Sequence, residues 1–334
     1  MKELRYCPST LAEGFKTYSP VALKKLFNGQ KVSHIISYVS IEKSEEDAAK
    51  FMDNRKRISI SGMQSKYSML LRNDSLMLTE DGEQGLYIFK PKPDGLRLAH
   101  EIPANENLTM QIAEQVYGIE TAANGLCFYK TGEQAYITRR FDVDADGNKL
   151  QTEDFASLAG ITAAGALSEL KYNSSYEEMA GLIKHYIPAW KVELLKFYRI
   201  ILFNFLFSNG DAHLKNFSII ETGDGDFKLS PAYDLLNTHI HVDDSDFALS
   251  RGLFALPDKK DFKFGNKVIG ATFRAFGLKI GLVEKTVDTA LSLFIERQPE
   301  MEQLVTNSYL SARTKRTYLA HYNEKRNRLS DFKL

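Results

Sequence analysis

Residues 191–207 constrain the fold of this 334-residue chain more than any other segment. Apolar side chains cover nearly every face of this segment towards its C-terminal end, most densely in residues 200–207. A helix that is apolar all round is buried inside a domain. The apolar run is far too short to span a bilayer, and Lys196 and Arg199 lie just before it. We therefore predict a rigid buried helix, which Gly210 is expected to end.

The loop after this helix carries a carboxylate, an amide and a second carboxylate. Asn216 follows Asp211 by five residues, and Asp234 follows Asn216 by eighteen. In phosphoryl transfer an Asp orients and deprotonates the attacking hydroxyl, while an Asn and an Asp hold magnesium against nucleotide phosphates. On these residues alone an Asp-rich turn that caps a helix is the alternative, because Asn-Gly-Asp is also good turn chemistry.

The chain is predicted to be strand-rich at first and helical later. The β-favouring runs are residues 57–61, 67–71, 85–90 and 135–141. From about Thr152 the pattern indicates helices. We predict an α+β fold with two kinase-like lobes, a β-rich nucleotide-binding lobe at residues 1–142 and an α-helical catalytic lobe at residues 143–334.

Two further elements would position the candidate site. Asn105 is expected to be the N-cap of a helix, with Glu106 in its first turn. Residues 217–220 and 227–230 flank a Thr-Gly-Asp-Gly-Asp turn and predict a hairpin. That hairpin would carry Asp234 back towards the loop of Asp211.

Several residues could contact a nucleotide. Residues 59–66 join two predicted strands, and their backbone amides could cradle phosphates, although an ordinary glycine-containing hairpin is the alternative. Lys90 ends a β run and could neutralise phosphate charge, with Glu106 as its partner; a solvated edge lysine is the alternative. The predicted nucleotide-binding residues are Ser61, Gly62, Met63, Gln64, Lys66, Lys90, Arg140 and Phe141.

His213 and Lys215 lie in residues 209–216, the segment that we call the acidic loop, and are predicted to stabilise charge in the transition state. A loop-bracing hydrogen bond is the alternative for His213. Residues 313–334 are rich in Lys and Arg and could meet an acidic partner, or could form a solvated helix face whose aliphatic stems cover the core.

Composition narrows the function classes. The formal net charge is zero, so the whole molecule has no electrostatic bias towards nucleic acid or membrane. Cys7 and Cys127 belong to no ligand-like cluster, which argues against structural zinc and indicates a reducing cytoplasm. The first residues lack the apolar run of a signal peptide. We expect a cytoplasmic protein without a membrane partner.

Taken together, these segments resemble the HipA family of serine/threonine kinases, the toxins of bacterial toxin–antitoxin operons. The matching segments are residues 57–66, 88–90, 103–106, 140–142, 209–217 and 229–234. The resemblance implies a kinase-like fold and ATP- and Mg²⁺-dependent phosphorylation of protein serine or threonine.

The resemblance also implies roles for single residues. Asp211 matches the catalytic aspartate, while Asn216 and Asp234 match the magnesium ligands. Lys90 matches the lysine that contacts ATP. Ser59 matches the serine that the family autophosphorylates, an event that displaces the loop and stops nucleotide binding.

Two departures point to the short HipT-type kinases. We expect the protein to lack the N-terminal subdomain of full-length HipA proteins, which in HipT systems a separate small antitoxin supplies. The Ser59-Ile60-Ser61 pair also resembles that type, so Ser61 is a second predicted phosphorylation site.

Arg139 stands where HipA proteins often have an acidic residue at the hinge. The remaining implied partners are an aminoacyl-tRNA synthetase as substrate and a helix-turn-helix protein, with DNA contacted only through the latter.

Two other functions stay open. A small-molecule kinase would share the magnesium loop but would not need a phosphorylatable serine beside the nucleotide. A kinase-like binding module that represses transcription with an antitoxin would not need Lys90, Asp211, Asn216 and Asp234 together.

Overall fold

The computed structural model describes residues 3–38, 65–144, 147–161, 170–256 and 268–331. The predicted strand at residues 57–61 lies outside these ranges. So do the following predicted phosphate-binding and phosphorylation residues: Ser59, Ser61, Gly62, Met63 and Gln64. The proposals for those residues stay predictions.

The chain folds into two compact units, each assembled from separate stretches. The first unit comprises Met1–Ile112, Thr121–Lys149 and Glu300–Lys315, and the second comprises Ala113–Glu120, Leu150–Pro299 and Arg316–Leu334. The lobes predicted at residues 1–142 and 143–334 stay a prediction.

Within the described part of the first unit, an antiparallel sheet has the strand order β2-β1-β3-β5-β4. The strands are β1 (Tyr67–Arg72), β2 (Ser75–Leu78), β3 (Tyr87–Pro91), β4 (Asn124–Phe128) and β5 (Gln134–Arg139). The sequence predicts β1, β3 and β5 but misses β2 and β4. Asn73 and Asp74, with φ of 47° and 61°, form the tight turn before β2. β4 begins with Asn124 and Gly125, residue types that are depleted in strands.

Helix α1 (Pro20–Phe27) packs on this sheet. The Ser19 side chain accepts a hydrogen bond from the Ala22 backbone N–H and so caps the helix, and Pro20 supplies a preset φ at its start. Leu26 of α1 lies in the same buried cluster as Met69 and Phe89 of the sheet. Burial of this apolar surface is what stabilises the unit.

Helix α2 (Ile102–Gln115) begins earlier than predicted. A 3₁₀ turn, Ala99–Glu101, leads into it, and Pro103 in its first turn has the fixed φ that suits a helix start. Asn105 is therefore an interior, fully buried residue rather than the N-cap. Glu106 is the fifth residue of the helix, so its side chain is placed by packing and not by the helix N-terminus.

The second unit is mainly helical, with a small antiparallel sheet in the order β6-β7-β8. Its strands are β6 (Thr152–Asp154), β7 (Ser218–Glu221) and β8 (Phe227–Leu229). Its helices are α3 (Phe155–Leu158), α4 (Tyr176–Tyr186), α5 (Trp190–Leu206), α6 (Gly270–Lys279) and α7 (Glu284–Ile295). Helices α8 (Pro299–Asn307) and α9 (Ala312–Leu329) contribute residues to both units.

Helix α5 confirms the buried helix, since Phe197, Leu202 and Phe203 on different faces are fully buried. Its end differs from the prediction. The helix stops at Leu206, and Ser208, with φ of 53°, takes the left-handed conformation expected of Gly210. Position 210 requires glycine because of the space around it. A Cβ there would lie 2.5 Å from the Ser245 backbone oxygen and would also clash with the Asp244 carboxylate.

The predicted hairpin is confirmed by β7 and β8. The Thr222 N–H donates to the Asp226 carbonyl at 2.7 Å, and Gly225 turns the chain with φ of 79°. This hairpin returns the chain to the loop after α5, so that the segment carrying Asp234 meets the segment carrying Asn216.

Candidate active site

Lys90 and Glu106 form a buried ion pair in the first unit. The Lys90 Nζ donates to Glu106 Oε1 at 2.6 Å, and the two side chains are only 4% and 2% exposed. The Lys90 ammonium also lies 5.2 Å from the centroid of the Tyr136 ring. β3 supplies the lysine and α2 supplies the glutamate, which is the strand–helix pairing that kinases use to place a phosphate-binding lysine. Lys90 is therefore not a solvated edge residue.

Asp211 lies at the surface of the second unit and is held by a neutral donor. The Tyr172 hydroxyl donates to Asp211 Oδ1 at 2.7 Å. Burial and the Asp211 charge raise the pKa of Tyr172 well above its usual range, so the phenol stays protonated and keeps donating. The Asp211 backbone N–H bonds to Asn209 Oδ1 at 3.4 Å. This arrangement engages Oδ1, and no residue in the described ranges donates a hydrogen bond to Oδ2.

The structure brings Asn216 and Asp234 together. The Asn216 Nδ2 donates to Asp234 Oδ2 at 3.3 Å, and both residues line the same pocket as Asn209. Asp234 has a left-handed φ of 56°, a conformation that costs a non-glycine residue energy and often marks a functional site. The Asn209 amide braces this conformation through the Asp234 carbonyl at 3.4 Å.

The donor set fits magnesium. A carboxylate and an amide oxygen are hard ligands, and Mg²⁺ usually takes one or two such protein groups together with substrate phosphates. Asn216 Oδ1 accepts from the His213 N–H at 3.1 Å and retains a second lone pair. Among the residues that the structure places, no group of three or more His, Cys, Asp or Glu side chains could hold a metal alone.

His213 is buried and neutral. It is 3% exposed, and burial lowers the pKa of the imidazole to about 4, although the nearby Asp211 and Asp234 charges act in the opposite direction. Its ring packs against the edge of the Tyr172 ring at a centroid distance of 5.1 Å. A neutral imidazole carries no positive charge at pH 7. The catalytic role predicted for His213 stays a prediction, and with this pKa the imidazole would not supply positive charge at pH 7 in the protein as it stands.

Lys215 is half-buried, and its backbone is fixed by a tyrosine beside Asp234. The Tyr233 hydroxyl donates to the Lys215 carbonyl at 2.9 Å and lies 2.6 Å from the Ser218 hydroxyl. These bonds join the acidic loop to β7. Tyr172 belongs to no motif of the sequence, and Tyr233 lies in the matching segment 229–234 without a predicted role. The contacts of both hydroxyls depend on tertiary packing.

The remaining predicted nucleotide-binding residues that the structure describes lie in the first unit. The Arg140 guanidinium bonds to Asp142 at 3.0 Å, and the Arg140 backbone N–H donates to the Leu86 carbonyl at 2.8 Å. That N–H is therefore already used within the unit. The Arg139 guanidinium bonds to the Asn28 side chain. Lys66 and Phe141 are partly buried.

Basic side chains near the end of α9 make contacts within the second unit. Lys325 and Arg328 both pair with Asp246, and both cations lie 4.9 Å from the centroid of the Phe205 ring. Two of the basic side chains thus cover the end of α5. Across the described ranges, no helix is long and apolar enough to cross a membrane.

Comparison with known proteins gives a family. Residues 58–300 match the model of the HipA-like C-terminal domain. A Haemophilus influenzae protein named "Putative kinase" is 27% identical over 76% of this chain and 76% of its own length. Two Sinorhizobium fredii proteins, "Putative kinase Y4mE" and "Putative kinase Y4dM", are 30% and 31% identical over 56% and 58% of this chain. Those two matches span only 44% and 48% of the relatives' lengths.

Solved structures show a similar fold. The HipA toxin of Shewanella oneidensis, solved with HipB and operator DNA, has a TM-score of 0.62 at 18% identity, covering 87% of this chain and 72% of that one. The Helicobacter pylori proinflammatory kinase CtkA has a TM-score of 0.50 at 14% identity, covering 79% of this chain and 94% of that one. The predicted α+β, kinase-like fold is confirmed.

Proposed function

This chain belongs to the HipA-like C-terminal domain family, and we propose that it is an ATP- and magnesium-dependent serine/threonine protein kinase. The observation that carries the proposal is the contact between Asn216 and Asp234 at 3.3 Å, beside the accessible Asp211 on the same loop. The buried pair of Lys90 and Glu106 supports it, since phosphoryl transfer needs a lysine fixed by a carboxylate.

Each residue has a role in the proposal. Asp211 orients the substrate hydroxyl through Oδ2 and accepts its proton. Asn216 and Asp234 hold Mg²⁺, which when bound neutralises charge on the nucleotide phosphates. Lys90 binds phosphate oxygens. Tyr172 fixes the Asp211 carboxylate so that little reorganisation is needed when the hydroxyl arrives.

We further propose that the kinase is the toxin of a toxin–antitoxin pair. The similarity to the Shewanella HipA fold supports this, and that protein was solved with HipB and operator DNA. A small antitoxin would then neutralise the kinase, and DNA would be contacted only through a helix-turn-helix partner. The proposed substrate is an aminoacyl-tRNA synthetase. Ser59 and Ser61 are the proposed autophosphorylation sites, where added negative charge would repel a nucleotide.

Transfer of the labelled γ-phosphate from ATP in the presence of Mg²⁺ tests the kinase proposal. Asp211→Asn should lower transfer by about 100- to 10,000-fold, because a positioned base contributes about that much. Asp224→Asn, which removes an exposed carboxylate from the β7–β8 turn, is the matched control and should keep the wild-type rate. Equal rates for wild type and Asp211→Asn would exclude Asp211 from the chemistry.

Mass spectrometry of protein from cells tests the regulatory part. Phosphate on Ser59 or Ser61 in the wild type, and its absence in Asp211→Asn, is the expected result. Equal phosphorylation of the inactive variant would exclude self-regulation through this loop. In the same cells, expression of the wild type alone should arrest growth and Asp211→Asn should not.

A further inference from the structure

A cavity of about 270 Å³ lies on the second unit. The charged and polar lining includes Glu120, Lys196, Arg199 and Ser230. Ile119 and Leu229 contribute apolar surface. Neither Asp211 nor Asn216 lines this cavity, although Ile200, Leu229 and Ser230 line both this cavity and the neighbouring pocket of Asn216 and Asp234.

The charges around the cavity do not cancel. Lys196 is 2.8 Å from the Glu193 carboxylate. Glu120, at the rim, is 4.0 Å from Lys228. These four side chains form two pairs of opposite charge. Arg199 is left in excess, because none of the ion pairs found in the described ranges includes it.

Arg199 is also poorly satisfied by hydrogen bonds. It is half-buried on α5, and its guanidinium donates to the Tyr117 backbone carbonyl. A guanidinium has five N–H donors, and a carbonyl can take only part of that capacity. Burial lowers the pKa of Arg199, and no nearby ionised group acts against that shift. Burying a charge without a counter-charge is costly, so the site as it stands favours an anion.

We propose that this cavity binds a small anionic ligand, with a phosphate or carboxylate group on Arg199 and a short apolar body against Ile119, Ile200 and Leu229. The planar fork of the guanidinium matches both anions in bidentate geometry. The apolar side of the cavity favours an organic anion over an inorganic one. The proposal does not depend on the proposed kinase reaction, because Arg199 lines only this cavity and not the pocket of Asn216 and Asp234.

Isothermal titration of the full chain, without magnesium or nucleotide, tests the proposal. The probes are inorganic phosphate, butyl phosphate and butyrate. At least one of the two alkyl anions should bind saturably to one site and several-fold more tightly than inorganic phosphate, because its alkyl chain leaves water. Which of the two binds more tightly identifies the preferred head group. No binding of either alkyl anion would overturn the proposal.

Substitutions test whether the anion binds at Arg199. Arg199→Gln should weaken the affinity about tenfold or more, the usual loss for a charge-assisted hydrogen bond. Lys191→Gln removes an exposed cation from the same helix outside the cavity and should leave the affinity unchanged. Arg199→Lys keeps the charge without the fork and should fall between them, which provides a second test should the Gln variant fold poorly. Equal affinity in wild type, Arg199→Gln and Arg199→Lys would overturn the assignment.

Discussion

The candidate site residues of the two units lie in different environments. In the first unit Lys90 and Glu106 are sealed in the interior and neutralise each other at 2.6 Å. In the second unit Asp211 is exposed and accepts from a neutral phenol, while the partly exposed Asp234 accepts from a neutral amide. The first arrangement pairs two opposite charges that solvent hardly reaches. The second presents carboxylates that a metal ion and a substrate can reach, which is what phosphoryl transfer requires.

The buried pair should show the largest stability effect. Lys90→Met leaves the Glu106 charge buried without its partner, and we expect a loss of about 3–5 kcal/mol in the free energy of unfolding. The double variant Lys90→Met/Glu106→Met removes both charges and should recover much of that loss. Urea denaturation measures both. A double variant as unstable as the single one would show that the two side chains do not form an isolated pair.

Packing of the acidic loop gives the next effect. Gly210→Ala would place a Cβ against the Ser245 backbone oxygen and the Asp244 carboxylate, and relief requires movement of the backbone. We expect a loss of about 1–3 kcal/mol. Gly181→Ala, where a Cβ meets nothing within 4 Å, should instead stabilise α4 by about 0.5–1 kcal/mol. The midpoint temperature of thermal denaturation should therefore fall for Gly210→Ala and rise for Gly181→Ala. A midpoint of Gly210→Ala equal to that of the wild type would show that the loop is not tightly packed around this residue.

His213 should make the stability depend on pH. Its pKa of about 4 in the folded protein lies below the usual value of 6.5, so the unfolded chain binds the extra proton between those values. The contribution of His213 to the free energy of unfolding should therefore be constant above about pH 6.5. It should fall by up to about 3 kcal/mol as the pH drops towards 4. His213→Asn should reduce this slope in urea denaturation. The exposed His185→Asn should keep the wild-type slope, and an equal slope in all three proteins would mean that His213 titrates normally.

The smallest effect concerns Tyr172. Tyr172→Phe removes the hydroxyl that donates to Asp211 at 2.7 Å, and the transfer rate should fall about 2- to 13-fold, the equivalent of one ordinary hydrogen bond. Tyr186→Phe, on an exposed surface, is the control. A faster Tyr172→Phe enzyme would indicate that the phenol competes with the substrate hydroxyl rather than holding its acceptor.

Local patterns in the sequence were enough to predict much of the fold. The apolar density of α5 and the turn chemistry between β7 and β8 predict those elements, because burial and turn formation depend on nearby residues. The pairing of Lys90 with Glu106 was also predicted, even though the start of α2 was placed too late. Tyr172 could not be predicted, because its contact with Asp211 joins residues 39 apart and depends on tertiary packing. Gly210 was assigned a helix-ending role because a sequence does not reveal the close approach of a distant backbone.

Nucleotide binding with and without magnesium tests whether Asn216 and Asp234 form a metal site next to the nucleotide. The wild type should bind ATP more tightly when Mg²⁺ is present, because in the proposal Asn216 and Asp234 would hold the metal that neutralises the phosphates. Asp234→Asn should bind ATP equally with and without Mg²⁺, whereas Asp224→Asn should retain the magnesium effect. A wild-type affinity for ATP that does not change with Mg²⁺, or no ATP binding by unphosphorylated protein, would contradict the account.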